Sequence, residues 1–192
     1  HSDFYREFTI LAIDPGLNNI GVALFRLNAD PLSIIDISAT TLKEEKVVNI
    51  SPFDSDYIED RVAKRFRMVS AVASYVEQYA PSILVSESPF FDRRKPGSFA
   101  ILTEVINDIF KAALDINNNI RIATVEPLLV KHTLKVAGKK GKEVVRESMA
   151  SMVELTNLIQ QHLDTLDEHA IDAIGVGYTY FKRRLIPRTE KV

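Results

Sequence analysis

Apolar positions along this chain come in short blocks whose spacing changes from one segment to the next. Thr9 to Ile13 is an apolar run that stops at Asp14-Pro15-Gly16, and after Leu17-Asn18-Asn19 a second run extends from Ile20 to Leu27. This pattern predicts a hairpin whose first strand delivers a carboxylate to its open end. Leu32 to Thr40 follows the Asp30-Pro31 turn as a third strand, which completes a meander. From Tyr57 to Tyr79, residues Ile58, Val62, Phe66, Val69, Val72, Ala73 and Val76 recur at helical spacing, and Pro81 marks the stop.

Ser82 to Glu87 is almost wholly apolar and again ends in a carboxylate, as in a strand buried on both faces. Helical periodicity returns from Phe99 to Leu114, and Ile120 to Val125 reads as a further strand. The last third reads as helices over Pro127 to Val136, Lys142 to Leu163 and Thr165 to about Phe181, with a break at Gly138-Lys139-Lys140-Gly141. Thr165 followed by Glu168 predicts a capping box at the start of the final helix. The expected fold class is α/β. Its five-stranded mixed sheet, a three-stranded antiparallel meander extended by parallel strands, is flanked by helices in a single domain over residues 3–182, with a basic tail over 183–192.

Composition narrows the chemistry. At 192 residues, with 46% hydrophobic and 26% charged positions, the chain has an ordinary globular balance. No apolar run approaches the roughly 18 residues that span a bilayer, so a soluble, intracellular protein without a membrane partner is expected. Cysteine is absent, which excludes disulfides and thiolate metal sites and leaves Asp, Glu and four His as candidate ligands, a set suited to a hard ion. A net charge of −2 argues against coating nucleic acid by bulk charge. Local clusters point the other way: Arg93-Arg94-Lys95, Lys139-Lys140 with Lys142, and Lys182-Arg183-Arg184 with Arg188 and Lys191 are suited to a polyanion. The segment Lys43 to Asp56 reads as a loop with no assigned role.

Asp14 and Glu87 each end an apolar strand, and if those strands are neighbours both carboxylates meet at one sheet edge. The final helix adds Glu168, His169 and Asp172, where spacings of three and four place Asp172 on one face with each of the others. Asp172 is flanked by Ala170, Ile171, Ala173 and Ile174, and an unpaired carboxylate in such surroundings is costly. A carboxylate group of this kind suits two hard cations about 4 Å apart acting on a phosphodiester.

Taken in order, Ile13-Asp14-Pro15-Gly16 with Gly21, the strand ending in Glu87, and His169-Ala170-Ile171-Asp172-Ala173-Ile174-Gly175-Val176 resemble the motifs of RuvC-type Holliday junction resolvases of the ribonuclease H-like superfamily. The resemblance covers about Phe8 to Phe181. It implies two Mg2+ (or Mn2+) ions per site on Asp14, Glu87 and Asp172, with His169, or alternatively Glu168, as the fourth ligand. By the same resemblance Lys131 and Lys142 contact phosphates, and Phe90, with Phe91 beside it, stacks on unpaired bases. The basic residues Arg93, Arg94, Lys95, Lys139 and Lys140 join them as DNA contacts. The expected activity is metal-dependent resolution of four-way DNA junctions by a homodimer that makes paired symmetric nicks, with the helix Phe99 to Leu114 as dimer face. Two readings stay beside it: a related nuclease for flaps or forks, and a non-catalytic or ATP-binding member of the fold.

Overall fold

The computed structural model describes residues 6–44, 60–90, 93, 96–139, 141 and 143–186. Strands β1 (Glu7–Asp14), β2 (Asn19–Ala29) and β3 (Leu32–Lys43) form the antiparallel meander. Strands β4 (Ile83–Glu87) and β5 (Arg121–Val125) add to β1 in parallel, giving the order β3-β2-β1-β4-β5. The five-stranded mixed sheet expected from the apolar blocks is therefore the observed one.

Alternation along the strands divides the core into two layers. Ile10 and Ala12 of β1, Phe25 and Leu27 of β2, and Ile83 and Val85 of β4 face one side. There they pack under helix α6 (Glu168–Tyr180) and the short helices α3 (Pro127–Thr133), α4 (Val144–Ser151) and α5 (Val153–Thr156). Leu11, Ile13, Val22 and Leu84 face the other side, against helices α1 (Asp60–Tyr79) and α2 (Pro96–Ile116). Arg65 of α1 clips these two helices together through ion pairs to Glu104 and Asp108 of α2.

Helix α6 is buried all round except near its start, as a central helix must be; Ala170, Ile171 and every residue from Ala173 to Tyr180 are buried. Its close approach to the sheet depends on glycine. A Cβ on Gly177 would stand 2.1 Å from the Phe25 ring, and one on Gly21 of β2 would stand 1.9 Å from the His169 carbonyl oxygen.

Two sequence expectations are corrected here. The long helix from Lys142 to Leu163 is instead α4 and α5 separated at Met152, followed by a stretch that leaves helical geometry to pair with the sheet. Ile37 of β3 donates to Leu158 and accepts from Gln160, both at 2.8 Å, and the Gln161 amide bonds both backbone groups of Ala39. The free edge of β3 is covered in this way, and that long-range demand outweighs helix propensity. The capping box at Thr165 does not form either. Leu163–Thr165 is a 3-10 turn, and Asp167 caps α6 by accepting from the Ala170 N–H at 3.1 Å. Among the described residues no helix is long and apolar enough to cross a membrane.

Candidate active site

Asp14 is the last residue of β1 and shares the side-chain parity of Ile10 and Ala12, so it points to the α6 face. Glu87 ends β4 with the parity of Ile83 and Val85. Ile13 pairs with Ser86, so Asp14 and Glu87 are the next positions on adjacent parallel strands, roughly 5 Å apart across the sheet. Helix α6 begins over this edge and brings His169 and Asp172 down onto it. Nδ1 of His169 lies 3.0 Å from Oδ2 of Asp14, a hydrogen bond in which the imidazole donates.

The charges feel one another strongly. Burial first, then the neighbouring Asp14 and Asp172, push the Glu87 carboxyl up to about 7, with Lys131 pulling the other way. Asp172 is likewise pushed up to about 7, by burial and then by Asp14, with His169 opposing and Glu168 adding. The hydrogen bond to Asp14 raises His169 above the ordinary imidazole value; burial opposes this, and the charges of Asp14, Asp167 and Glu168 add to it. Three carboxylates are thus held together in partial burial, with repulsion that the imidazole relieves only in part.

Glu87 and Asp172 open into a cleft of about 740 Å3, whose wall includes Pro89, Phe90, Leu128 and Lys131. Phe90 is 71% exposed, so its ring is available at the cleft and is no part of the core. Lys131 is exposed on α3 at the rim. A smaller hollow of about 190 Å3 lies between Asp172, Glu168 and Arg146 on the other side. Glu168 therefore shares a hollow with Asp172, while His169 is the residue that touches Asp14. Arg93 and Lys139 are exposed and stand outside the lining of the cleft. Phe91, Arg94, Lys95, Lys140 and Lys142 lie outside the described residues. Lys182, Arg183 and Arg184 follow the far end of α6, away from the carboxylates.

Sequence reasoning missed two residues that shape this site. Asp167 accepts from Thr41 of β3 as well as from Ala170, and so fixes where α6 begins. An aspartate just before a helix is a capping signal in its own right, and it outranked the Thr165 pattern. Arg146 donates to the Leu163 carbonyl at 2.6 Å and pairs with Glu143 at 2.9 Å, which ties α4 to the turn ahead of α6. Nothing local in the sequence marks that tie. Among the described residues, no group of three or more His, Cys, Asp and Glu side chains stands ready to hold a metal ion.

A meander extended by parallel strands, with carboxylates on the ends of its first and fourth strands and on a helix across them, defines a ribonuclease H-like fold. No family model matches the chain. By fold it is similar to Thermus thermophilus RuvC, solved in complex with a Holliday junction substrate, with a TM-score of 0.63 and 17% identity over 93% of this chain and 96% of that one. It is also similar to the yeast mitochondrial Holliday junction resolvase, with a TM-score of 0.59 and 12% identity over all of this chain and 87% of that one. By sequence it is 25% identical over 175 residues to the crossover junction endodeoxyribonuclease RuvC of Dehalococcoides mccartyi, covering 91% of this chain and 93% of that protein. The RuvC of Cytophaga hutchinsonii is 26% identical over 172 residues, covering 90% and 75%. The resemblance to RuvC-type resolvases read from the motifs thus extends over nearly the whole chain in both sequence and fold.

Proposed function

We propose that this chain is a structure-selective DNA endonuclease that resolves four-way junctions, acting as a homodimer that nicks two symmetry-related strands. The observation that carries this reading is the meeting of Asp14, Glu87 and Asp172 at one sheet edge, in a fold shared with resolvases of bacterial, yeast and poxviral origin.

The donor set suits a hard divalent cation, for two reasons: it is made of carboxylate oxygens with one imidazole, and its mutual repulsion is what a cation relieves. Asp14, Glu87, Asp172 and His169, with Glu168 the alternative to His169, would hold Mg2+ or Mn2+, two per site, by drawing closer together than they stand in the structure. When bound, such ions supply Lewis-acid stabilisation of the charge that grows on the phosphate oxygens. The chain's own residues do the rest. His169 holds the Asp14 carboxylate in one orientation, Lys131 meets a phosphate at the cleft rim, and the exposed Phe90 ring offers a stacking surface to an unpaired base. Phosphodiester hydrolysis of this type leaves 5′-phosphate and 3′-hydroxyl ends.

The test is metal-dependent cutting of a mobile four-way junction, with both cut sites mapped, beside flap, fork and nicked-duplex substrates. Symmetric paired cuts in the junction are expected, and Asp14→Asn is expected to bind the junction without cutting it. Full cutting by Asp14→Asn would overturn the site assignment. Preferential cutting of flaps would overturn the substrate.

A further inference from the structure

The element packing leaves a basic groove unused by the site above, at the opposite end of α6. It has a volume of about 550 Å3, and its lining includes Thr133, Lys135, Ser151, Lys182 and Arg183, with Glu154 as the acidic residue. Three cations against one carboxylate make a concentrated positive surface in a chain whose net charge is −2.

Structural roles do not account for this concentration. Lys135, Lys182 and Arg183 are all exposed, and among the described residues none of them forms an ion pair. Arg183 is nevertheless oriented: its Nε donates to the Thr133 hydroxyl at 3.2 Å, which leaves the terminal guanidinium nitrogens without a protein partner among the described residues. Lys135 sits at φ +58°, in the left-handed region that costs a residue with a side chain; Ala80 is the other such non-glycine residue among those described. That conformation belongs to the C-terminal cap of α3, where the Lys135 N–H donates to the His132 carbonyl and the Val136 N–H to the Lys131 carbonyl, and the cap leaves the Lys135 side chain exposed beside two further cations.

We propose that this groove is a second contact for the DNA backbone, gripping a phosphate of the duplex arm that leaves the cutting site. The inference rests on the reading of the chain as a nuclease for branched DNA. From Asp172, in the second turn of α6, to Lys182 just past its end is ten residues, about 15 Å along the helix. That distance corresponds to about four nucleotides of one strand. A continuous phosphodiester chain can therefore occupy both places at once, which gives an arm of fixed direction two points of attachment.

The experiment measures binding of a labelled four-way junction and of a plain duplex across a salt series in chelator, for the wild type, Lys135→Gln and Lys182→Gln. Lys64→Gln on α1 removes the same unit of charge from the opposite face of the sheet and serves as control. Each groove variant is expected to weaken binding of both DNAs by roughly 3–10-fold and to lower the slope of log affinity against log salt by about one. Cleavage at saturating enzyme is expected to be unchanged. Wild-type slopes in both groove variants, or an equal change in Lys64→Gln, would overturn the proposal. Failure of the nuclease reading shows separately, as a wild-type protein that cuts no junction, and the duplex arm of the experiment still reports on the groove.

Discussion

Asp14 can meet His169 because the residue opposite it in the hairpin, Gly21, has no side chain. The first turn of α6 lies where a Cβ on Gly21 would be, against the His169 carbonyl. Gly21→Ala must therefore lift the start of α6, and it is expected to cost about 1–3 kcal/mol in denaturant unfolding and to lower cleavage beyond what the stability loss explains. An unchanged cleavage rate would show that the contact between strand and helix does not set the site. The gathered carboxylates allow a second test. An acid whose folded value is raised, as Glu87 is from 4.5 to about 7, binds more protons folded than unfolded in that window, so its contribution to stability falls as pH rises through it. Glu87→Gln removes this penalty, and its gain in melting temperature over the wild type, in chelator, is expected to grow from pH 5 to pH 8. The limit is about 3 kcal/mol, and saturating magnesium should shrink the gain. A gain that does not change with pH would contradict the clustering. Of these residues, Asp14, Glu87 and Asp172 were legible in the sequence, because a carboxylate that closes an apolar strand or interrupts an apolar helix stands out on its own. The role of Gly21 as a contact was not, since the atom it makes room for is on a helix far along the chain.

At the scale of elements, the sheet and the end of α1 at Tyr79 were legible, and the helix boundaries of the last third were not. These elements are closed by local chemistry, Asp-Pro-Gly and Asp30-Pro31 for strands and Pro81 for α1, which acts wherever it occurs. The end of α5 and the start of α6 are decided by β3, which captures Ile159 and Gln161 on one side and holds Asp167 through Thr41 on the other. A cap that is also a tether to an edge strand has a measurable signature. Burial disfavours the charged form of Asp167, but hydrogen bonds from Thr41 and the Ala170 N–H more than compensate and hold its carboxyl below the ordinary value. Its contribution is thus present above the unfolded value and lost as pH falls through the folded one. Asp167→Ala is expected to cost about 1–2 kcal/mol at neutral pH. Thr41→Val, which removes one of the two donors, should cost less and leave the helix start in place. Because α6 carries both His169 and Asp172, Asp167→Ala should also reduce cleavage, whereas Asp167→Asn retains an acceptor and should restore most of it. Equal stability of Asp167→Ala and the wild type would mean that the cap is dispensable.

For the molecule as a whole, charge and symmetry set what the proposed activity demands. An acidic chain cannot hold a polyanion everywhere on its surface, so affinity must come from a few places, such as the Lys131 rim and the basic groove at the end of α6. Among the described residues one chain also contains one carboxylate site of this kind, while a four-way junction presents two equivalent strands. Two chains related by a two-fold axis answer both needs, since each dimer doubles the sparse contacts and matches the symmetry of the substrate. The consequence is visible in the product. A supercoiled plasmid carrying a cruciform becomes linear when both strands are cut within one complex, and becomes a nicked circle when only one is cut. Wild-type protein is expected to give mainly linear product. Mixing it with increasing Asp14→Asn, after subunits have been allowed to exchange, is expected to raise the nicked circle at the expense of the linear form, because mixed dimers hold the junction with one working site. If added Asp14→Asn instead lowers both products in parallel, each active unit works alone or subunits do not exchange. Sedimentation of the wild type at the same concentration separates these cases, because a monomer there excludes the paired mechanism outright.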